Sequence, residues 1–282
     1  MSRASTKATG ARMHPPRERH RAFACTVQAA RAITPGMRRI TLSAPELTDF
    51  QQGAKDEFFA LMIPAAYGLR LPESTPEGTP PRALAAMIPE EQRPLLRWYT
   101  IRAHRPEAGE VDVDMVLHGE GSSSGPGSSW AAEARPGDIV GFCEGNGIYY
   151  PPAGAETQIF FADETALPAL AALLESPKPH PDRPAPKPES THVHIEVPAA
   201  SEIQPISTET TVHWHVRDDR PPGAALTEAL HGMDLPARAD YAWVCAEAGT
   251  VRTVRRHLVR TLGMPKEKIF FSGYWRRGEA RT

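Results

Sequence analysis

Within one short β-prone run, Arg97-Trp98-Tyr99-Thr100-Ile101-Arg102 brings together a guanidinium, a phenol ring and a hydroxyl. Successive strand side chains alternate in direction, so Arg97 and Tyr99 are expected on one face and Thr100 on the other. A guanidinium pairs a phosphate through its planar fork, and a phenol ring lies flat against an extended π-system. Phosphate pairing and stacking are what a flavin nucleotide asks of a protein. The same spacing also suits a solvated antiparallel strand, so the assignment needs support from elsewhere. If Thr100 also meets the ligand, the strand must end, bulge or offer its backbone there.

Three later stretches have the right chemistry. Gly119 opens a Gly/Ser-rich run that ends in Gly125-Pro126-Gly127-Ser128-Ser129-Trp130. Its glycines let backbone amides approach a ligand, and a serine-capped helix start points free N–H groups and a positive dipole end outward. That suits a pyrophosphate, although an ordinary turn has the same composition and no Gly-Lys-Ser/Thr follows. Phe160-Phe161-Ala162-Asp163-Glu164-Thr165-Ala166-Leu167-Pro168 reads as a buried strand running into a helix, with Thr165 as its cap and Pro168 in the first turn. Val244-Cys245-Ala246-Glu247-Ala248-Gly249-Thr250 repeats the strand-to-helix pattern. Ligands of open α/β sheets sit at such strand ends; as plain turns, both would leave Asp163 and Glu164 solvated.

Composition narrows the class. The chain has 282 residues, 40% hydrophobic and 23% charged, with a formal net charge of −2. These values suit a soluble globular protein of two domains and argue against a general nucleic-acid binder. Cys25, Cys143 and Cys245 are widely separated and form no CxxC spacing. The pairs His192/His194 and His213/His215 lack an accompanying acid or cysteine set, so they are read as surface-facing and no metal site is expected. No apolar run approaches the length of a membrane span, and no apolar segment follows the basic N-terminus, so a cytoplasmic location is expected.

The elements that would position these residues fall into two groups. Residues 1–20 carry five arginines or lysines among small and polar residues and are expected to be a disordered basic tail. From Phe23 to Phe142, short alternating segments separated by turns predict an antiparallel β-barrel over 21–150, with a long connection at 64–96. From Thr157 to Ser272, strands and helices alternate, which predicts a parallel-sheet α/β domain over 155–282. The Pro-, Lys- and His-rich stretch 176–190 reads as an exposed insertion. Near the C-terminus, Gly273-Tyr274-Trp275-Arg276-Arg277 combines aromatic and cationic groups.

Taken in order, Arg97–Arg102, Val116-Leu117-His118-Gly119, Gly125–Ala131, Asp163–Ala169 and Gly273–Arg276 resemble the siderophore-interacting proteins. These are FAD-dependent ferric-siderophore reductases of ferredoxin–NADP reductase-like architecture, and the resemblance spans about residues 20–280. It implies that Arg97 pairs the FAD phosphate. Tyr99 would stack on the isoalloxazine and Thr100 would hydrogen-bond near its reactive nitrogen, making these two the catalytic candidates. His118 and its neighbours would contact the ribityl or adenosine part, with Trp98, Asp114, Val116 and Gly119 among the cofactor positions. Gly127, Ser128 and Ser129 would hold the pyrophosphate with Trp130 packed alongside, and Thr165 and Glu247 would lie near the nicotinamide. At a position where some members carry a siderophore-binding lysine this chain has Ala60, so Arg102, Arg276 or Arg277 would take over that contact.

The resemblance implies ferric-siderophore reduction with electrons from a pyridine nucleotide. NADH is expected over NADPH because Pro198–Thr211 contains no lysine or arginine to meet a 2′-phosphate. A general flavin reductase, a ferredoxin-coupled electron carrier and a non-catalytic siderophore-binding protein are the alternatives on the same fold. Neither nucleic-acid binding nor membrane insertion is expected.

Overall fold

A computed structural model describes residue 11 and residues 13–118, 125–176 and 183–279. Seven strands make the N-terminal sheet: β1 (Ala22–Thr34), β2 (Met37–Ser43), β3 (Phe58–Ile63), β4 (Leu95–Thr100), β5 (Ala103–Arg105), β6 (Glu110–Val116) and β7 (Ile139–Cys143). They run antiparallel in the order β4-β3-β7-β1-β2-β6-β5. Alternation sends Phe23, Cys25 and Val27 of β1 and Val111, Val113 and Met115 of β6 into one core. The ends of the sheet are drawn together where β4 stops: the Ile101 N–H bonds the Glu57 carbonyl (2.9 Å) and the Arg102 N–H bonds the Asp112 carbonyl (2.8 Å). The result is the expected barrel. The long connection after β3 carries a short helix, α1 (Pro81–Ala86), whose Leu84 and Ala85 cover Ala60 and Met62 on the barrel's outer side.

Helix α2 (Pro126–Glu133) follows β6 and packs on the barrel through Ala131 and Trp130. Arg38 fixes its far end, donating to the carbonyls of Ala131 (2.6 Å), Ala132 and Ala134 (3.3 Å). A cation on the last carbonyls satisfies otherwise unpaired acceptors and complements the negative end of the helix dipole.

The second domain is a five-stranded parallel sheet ordered β10-β9-β8-β11-β12. Its strands are β8 (Gln158–Ala162), β9 (Thr191–Val197), β10 (Val212–Val216), β11 (Tyr241–Glu247) and β12 (Ile269–Trp275). Strand order reverses between β8 and β11, where doubly wound sheets open a crevice. Helix α3 (Leu167–Leu174) covers one face; α4 (Ala224–Ala229) and α5 (Ala248–Arg260) cover the other. Both faces are buried, which is why β8 and β11 read as continuous apolar runs instead of alternating ones.

The domains meet through α3, which is apolar on all sides and buried from Leu167 to Leu173. Its leucines share one cluster with Met37, Ile148 and Tyr149 from the barrel side. Two polar latches flank this seam. The Glu202 carboxylate accepts the Gly36 N–H (2.7 Å) and the Thr34 hydroxyl of the β1–β2 turn. Arg102 reaches Glu175 at the end of α3 (2.7 Å) and Asp114 of β6 (3.6 Å).

The expectation of a free tail through residue 20 needs correction for its described part. The Arg17 guanidinium pairs the buried Glu57 carboxylate at 2.7 Å, its N–H bonds the Asn146 side chain, and the Ala11 N–H bonds the Ile269 carbonyl. Basic residues in a polar stretch were expected to be solvated, but a buried carboxylate elsewhere in the fold needs a partner. Residues 1–10, 12 and 177–182 lie outside the described residues.

Arg102→Ala removes one cation from two carboxylates and opens a latch across the seam. It should lower stability by about 2 kcal/mol, the scale of a hydrogen bond between charged groups, read as a shifted midpoint in urea unfolding.

Candidate functional site

Arg97 and Tyr99 leave β4 on the same face, as alternation requires, and both end against the start of α2. A Cβ placed on Gly127 would lie 2.2 Å from the Tyr99 hydroxyl and 3.4 Å from Cγ of Arg97. Only a residue without a side chain permits this approach, so the glycine lets the phenol and the stem of Arg97 come up to the first turn of the helix, while the Arg97 guanidinium donates to the Leu96 carbonyl (2.7 Å). Burial pushes the Tyr99 phenol pKa up, partly opposed by Arg97, and the ring is neutral at physiological pH. The helix starts with Pro126 and has no side-chain cap. Its first-turn amides lack intrahelical acceptors and face the same corner as Arg97. Cation, aromatic ring and helix start thus converge from segments about 30 residues apart in the chain, an arrangement that fits a phosphate joined to a flat ring system.

Thr100 is buried, as the last residue of β4, at the point where the chain leaves its β3 partner. It is still in register with Phe58 of β3, so alternation sets its side chain on the face opposite Tyr99. Trp98 does lie on the opposite face: its ring meets Phe58 edge-on at 5.2 Å and packs with the cluster under α1. Alternation makes this unavoidable, so the ring of Trp98, one of the expected cofactor positions, is turned away from the face of Arg97 and Tyr99.

A second region lies across the seam. Val116 and His118 from the barrel, with Glu164 and Arg217 from the sheet domain, line a cavity of about 230 Å³. The Ser128 hydroxyl accepts the His118 N–H (2.9 Å) and donates to the His118 carbonyl (3.2 Å), so it ties the end of β6 to α2. This corrects the free-phosphate role for that side chain. Ser129 donates its N–H to Gly125 within the helix start, and Trp130 packs on the barrel core. Gly119 lies outside the described residues.

Asp163 and Glu164 are buried, contrary to the solvated alternative. Asp163 Oδ1 accepts the N–H (2.9 Å) and hydroxyl (2.6 Å) of Thr165; Oδ2 accepts the Glu247 N–H (2.7 Å) and Trp275 Nε1–H (2.8 Å). Thr165 is therefore held by Asp163, and the cap position of α3 falls to Ala166. Glu164 takes a bidentate pair from Arg217 (2.6 and 2.8 Å). The Glu247 carboxylate caps α5 through the Gly249 and Thr250 N–H groups. Beside it, between the starts of α4 and α5, an open groove of about 460 Å³ is lined by Gly223, Thr227, Arg252 and Arg256.

Two family models match the chain: a siderophore-interacting FAD-binding domain over residues 26–149 and a siderophore-interacting protein domain over residues 155–278. The chain belongs to the siderophore-interacting protein family. It is 28% identical to the ferric vibriobactin reductase ViuB of Vibrio cholerae over 253 residues, 88% of this chain and 86% of that protein. Its fold is similar to the crystal structure of the siderophore-interacting protein SipS from Aeromonas hydrophila, with TM-score 0.72 and 31% identity, covering 93% of this chain and 94% of the other. A ferredoxin NADP+ reductase from Neisseria gonorrhoeae shares the fold at TM-score 0.60 and 14% identity, covering 90% of this chain and 99% of the other.

Several candidates of this family member have other duties. The Asp114 carboxylate is held bidentately by Arg39 (2.6 and 2.7 Å) and approached by Arg102. Both residues belong to the latch described above, so neither has a free charge for cofactor or substrate. The reason is burial: a carboxylate on the covered side of β6 must be paired. Arg276 and Arg277 are exposed just past β12; Arg276 pairs Glu279 at 3.1 Å, and the Arg277 N–H approaches the Glu247 carboxylate (3.4 Å). Ala60 is buried under α1, so this chain closes over the position where the lysine was sought.

Among the described residues no group of three or more His, Cys, Asp or Glu side chains is arranged to hold a metal ion, and no helix is long and apolar enough to cross a membrane. The surface reading of the histidines is corrected at one point. His194 is buried on an inner strand, stacked on Phe161, with Nδ1 3.2 Å from Nε2 of His215. Sequence reasoning singled out the stretches that hold Asp163 and Trp275 without naming either as a site residue, and it missed Arg217, which lines the cavity across the seam.

Arg97→Ala should weaken FAD retention by about 10- to 100-fold, the value of a charge-assisted hydrogen-bond pair. Tyr99→Ala and Gly127→Ala should each lower flavin content as well, the latter by forcing the phenol out of place. Flavin absorbance per mole of purified protein reads all three; wild-type flavin content in every variant would remove the assignment.

Proposed function

We propose that the protein is an FAD-dependent ferric-siderophore reductase drawing its electrons from NADH. The observation that carries this reading is the convergence of Arg97, Tyr99 and Gly127 on one corner of the barrel. The family's FAD-binding domain and the ferric vibriobactin reductase activity named for the Vibrio relative support the same chemistry.

FAD, when bound, supplies a carrier that accepts a hydride from a nicotinamide and returns electrons one at a time. The chain's own residues supply position and charge. Arg97 and the amides at the start of α2 offset the phosphate charge, and Tyr99 supports the ring system. The seam between the domains keeps the crevice between β8 and β11 facing that support, which orients the donor for transfer. Ferric iron enters as substrate inside its siderophore. As a hard cation it is gripped by oxygen ligands more firmly than ferrous iron is, so reduction promotes release without any protein ligand to the metal. Arg276 and Arg277 stand exposed at the rim of the second domain, where an anionic siderophore would meet them.

NADH follows from the absence of lysine and arginine between Pro198 and Thr211. Glu196 does not contribute to this choice: its carboxylate accepts the Gly223 (2.6 Å) and Leu226 (2.9 Å) N–H groups and pairs Arg217. One observation favours NADPH instead, the exposed Arg252 and Arg256 beside the groove at α5.

Purified protein should be yellow and should bleach anaerobically on adding NADH, more slowly with NADPH. A ferric siderophore should then restore the colour and yield trappable ferrous iron. A faster bleach with NADPH would shift the donor to the arginine-lined groove. Bleaching by reduced ferredoxin alone would make the protein an electron-transfer partner of that carrier. A colourless protein that binds no added FAD would overturn the reading.

A further inference from the structure

Asp163 stands at the carboxyl end of the central strand β8, next to the reversal of strand order. It is 3% exposed, and each of its four partners is a donor: the Thr165 N–H and hydroxyl at Oδ1, the Glu247 N–H and Trp275 Nε1–H at Oδ2. One carboxylate thereby gathers the ends of β8, β11 and β12. Trp275 is half-buried and held there at 2.8 Å, although it lies 112 residues further along the chain.

We infer that Asp163 is the positioning residue of the donor crevice, clasping Thr165, the Glu247 backbone and the Trp275 indole into one rim against which the nicotinamide is aligned. The inference rests on the pyridine-nucleotide reading above. Hydride transfer is sensitive to placement, and a shift of about 1 Å costs on the order of 100-fold in rate. Three strand ends that drift separately cannot hold such a tolerance; three ends bonded to one buried group can.

The clasp is strongest when ionised. Three of the four partners are N–H groups that can only donate, and although the Thr165 hydroxyl can turn to accept a carboxyl hydrogen, protonation removes the charge that strengthens the other three bonds. The charged and titratable groups facing it are Glu164 on the same loop, Arg217 at the end of β10, and Cys245 and Glu247 on β11. Burial, and then the Glu164 charge, push the Asp163 pKa up to about 6, with Thr165 and Trp275 opposing. The carboxylate is therefore present above pH 6 and lost below it. Asp163→Asn keeps the shape but removes the charge and turns one acceptor into an NH₂ group, which opposes the Thr165 N–H in one amide orientation and the Glu247 and Trp275 N–H groups in the other.

The test uses the FAD-loaded full chain. Anaerobic stopped-flow reduction by NADH or NADPH at pH 7.5 should be slowed about 100-fold in Asp163→Asn, with flavin content and dithionite reduction unchanged. The wild-type rate should fall as the pH drops through 6, while the variant stays flat. The emission of Trp275, taken as wild type minus Trp275→Phe, should change between pH 7.5 and 5.5 in the wild type but not in Asp163→Asn. Nucleotide reduction of Asp163→Asn within twofold of wild type, with the same pH profile, would overturn the inference. So would Trp275 emission that is constant across this range, a comparison that needs no Asp163 variant to fold. A wild-type flavin that dithionite reduces but neither nucleotide does would refute the donor reading and with it the role of the rim; the emission arm would still report whether the clasp exists.

Discussion

The burial of α3 between the two domains is the constraint on which the rest of the structure depends. A helix that is apolar on all sides has no face to offer water, so it must be enclosed. Here the enclosing surfaces are the parallel sheet on one side and Met37, Ile148 and Tyr149 on the other. The loop between β8 and α3 is fixed by the same packing. The crevice at the strand ends therefore has a set position relative to the barrel corner where Arg97 and Tyr99 meet α2.

Charge within this frame follows one rule: a carboxylate withdrawn from water needs donors or cations around it. Asp114 has Arg39 and Arg102, Glu164 has Arg217, and Glu57 has Arg17. Asp163, Glu196 and Glu202 are held mainly by N–H and hydroxyl donors. Each of these groups joins segments that are distant in sequence. Residues that looked available for binding, Arg102 and Asp114 above all, are instead the means by which the domains are held. Arg252 and Arg256 at the groove beside α5, and Arg276 and Arg277 past β12, stay exposed.

The corner of Arg97, Tyr99 and Gly127 rests on space more than on charge. Gly127 matters because any side chain there would collide with the Tyr99 hydroxyl. Arg38, anchoring the far end of α2, keeps the helix start in place. Barrel strand, helix and arginine thus form one packed unit.

Local chemistry in the sequence determined much of this protein. Alternation in Val111–Met115 and the continuous apolar runs of β8 and β11 identified the two kinds of sheet, because β6 turns paired carboxylates to one face and apolar side chains to the other, whereas β8 and β11 are apolar on both faces. The common face of Arg97 and Tyr99 followed from the two-residue strand period alone, as did the departure of Trp98, although the family likeness had included its ring. Tertiary structure decided which polar groups are free. Asp163, Glu164 and His194 are buried only because other segments cover them, and the partners of Arg17, Arg102 and Asp114 come from segments that no spacing rule connects. A side chain's type states what it can bind; burial and the approach of distant segments settle what it does bind.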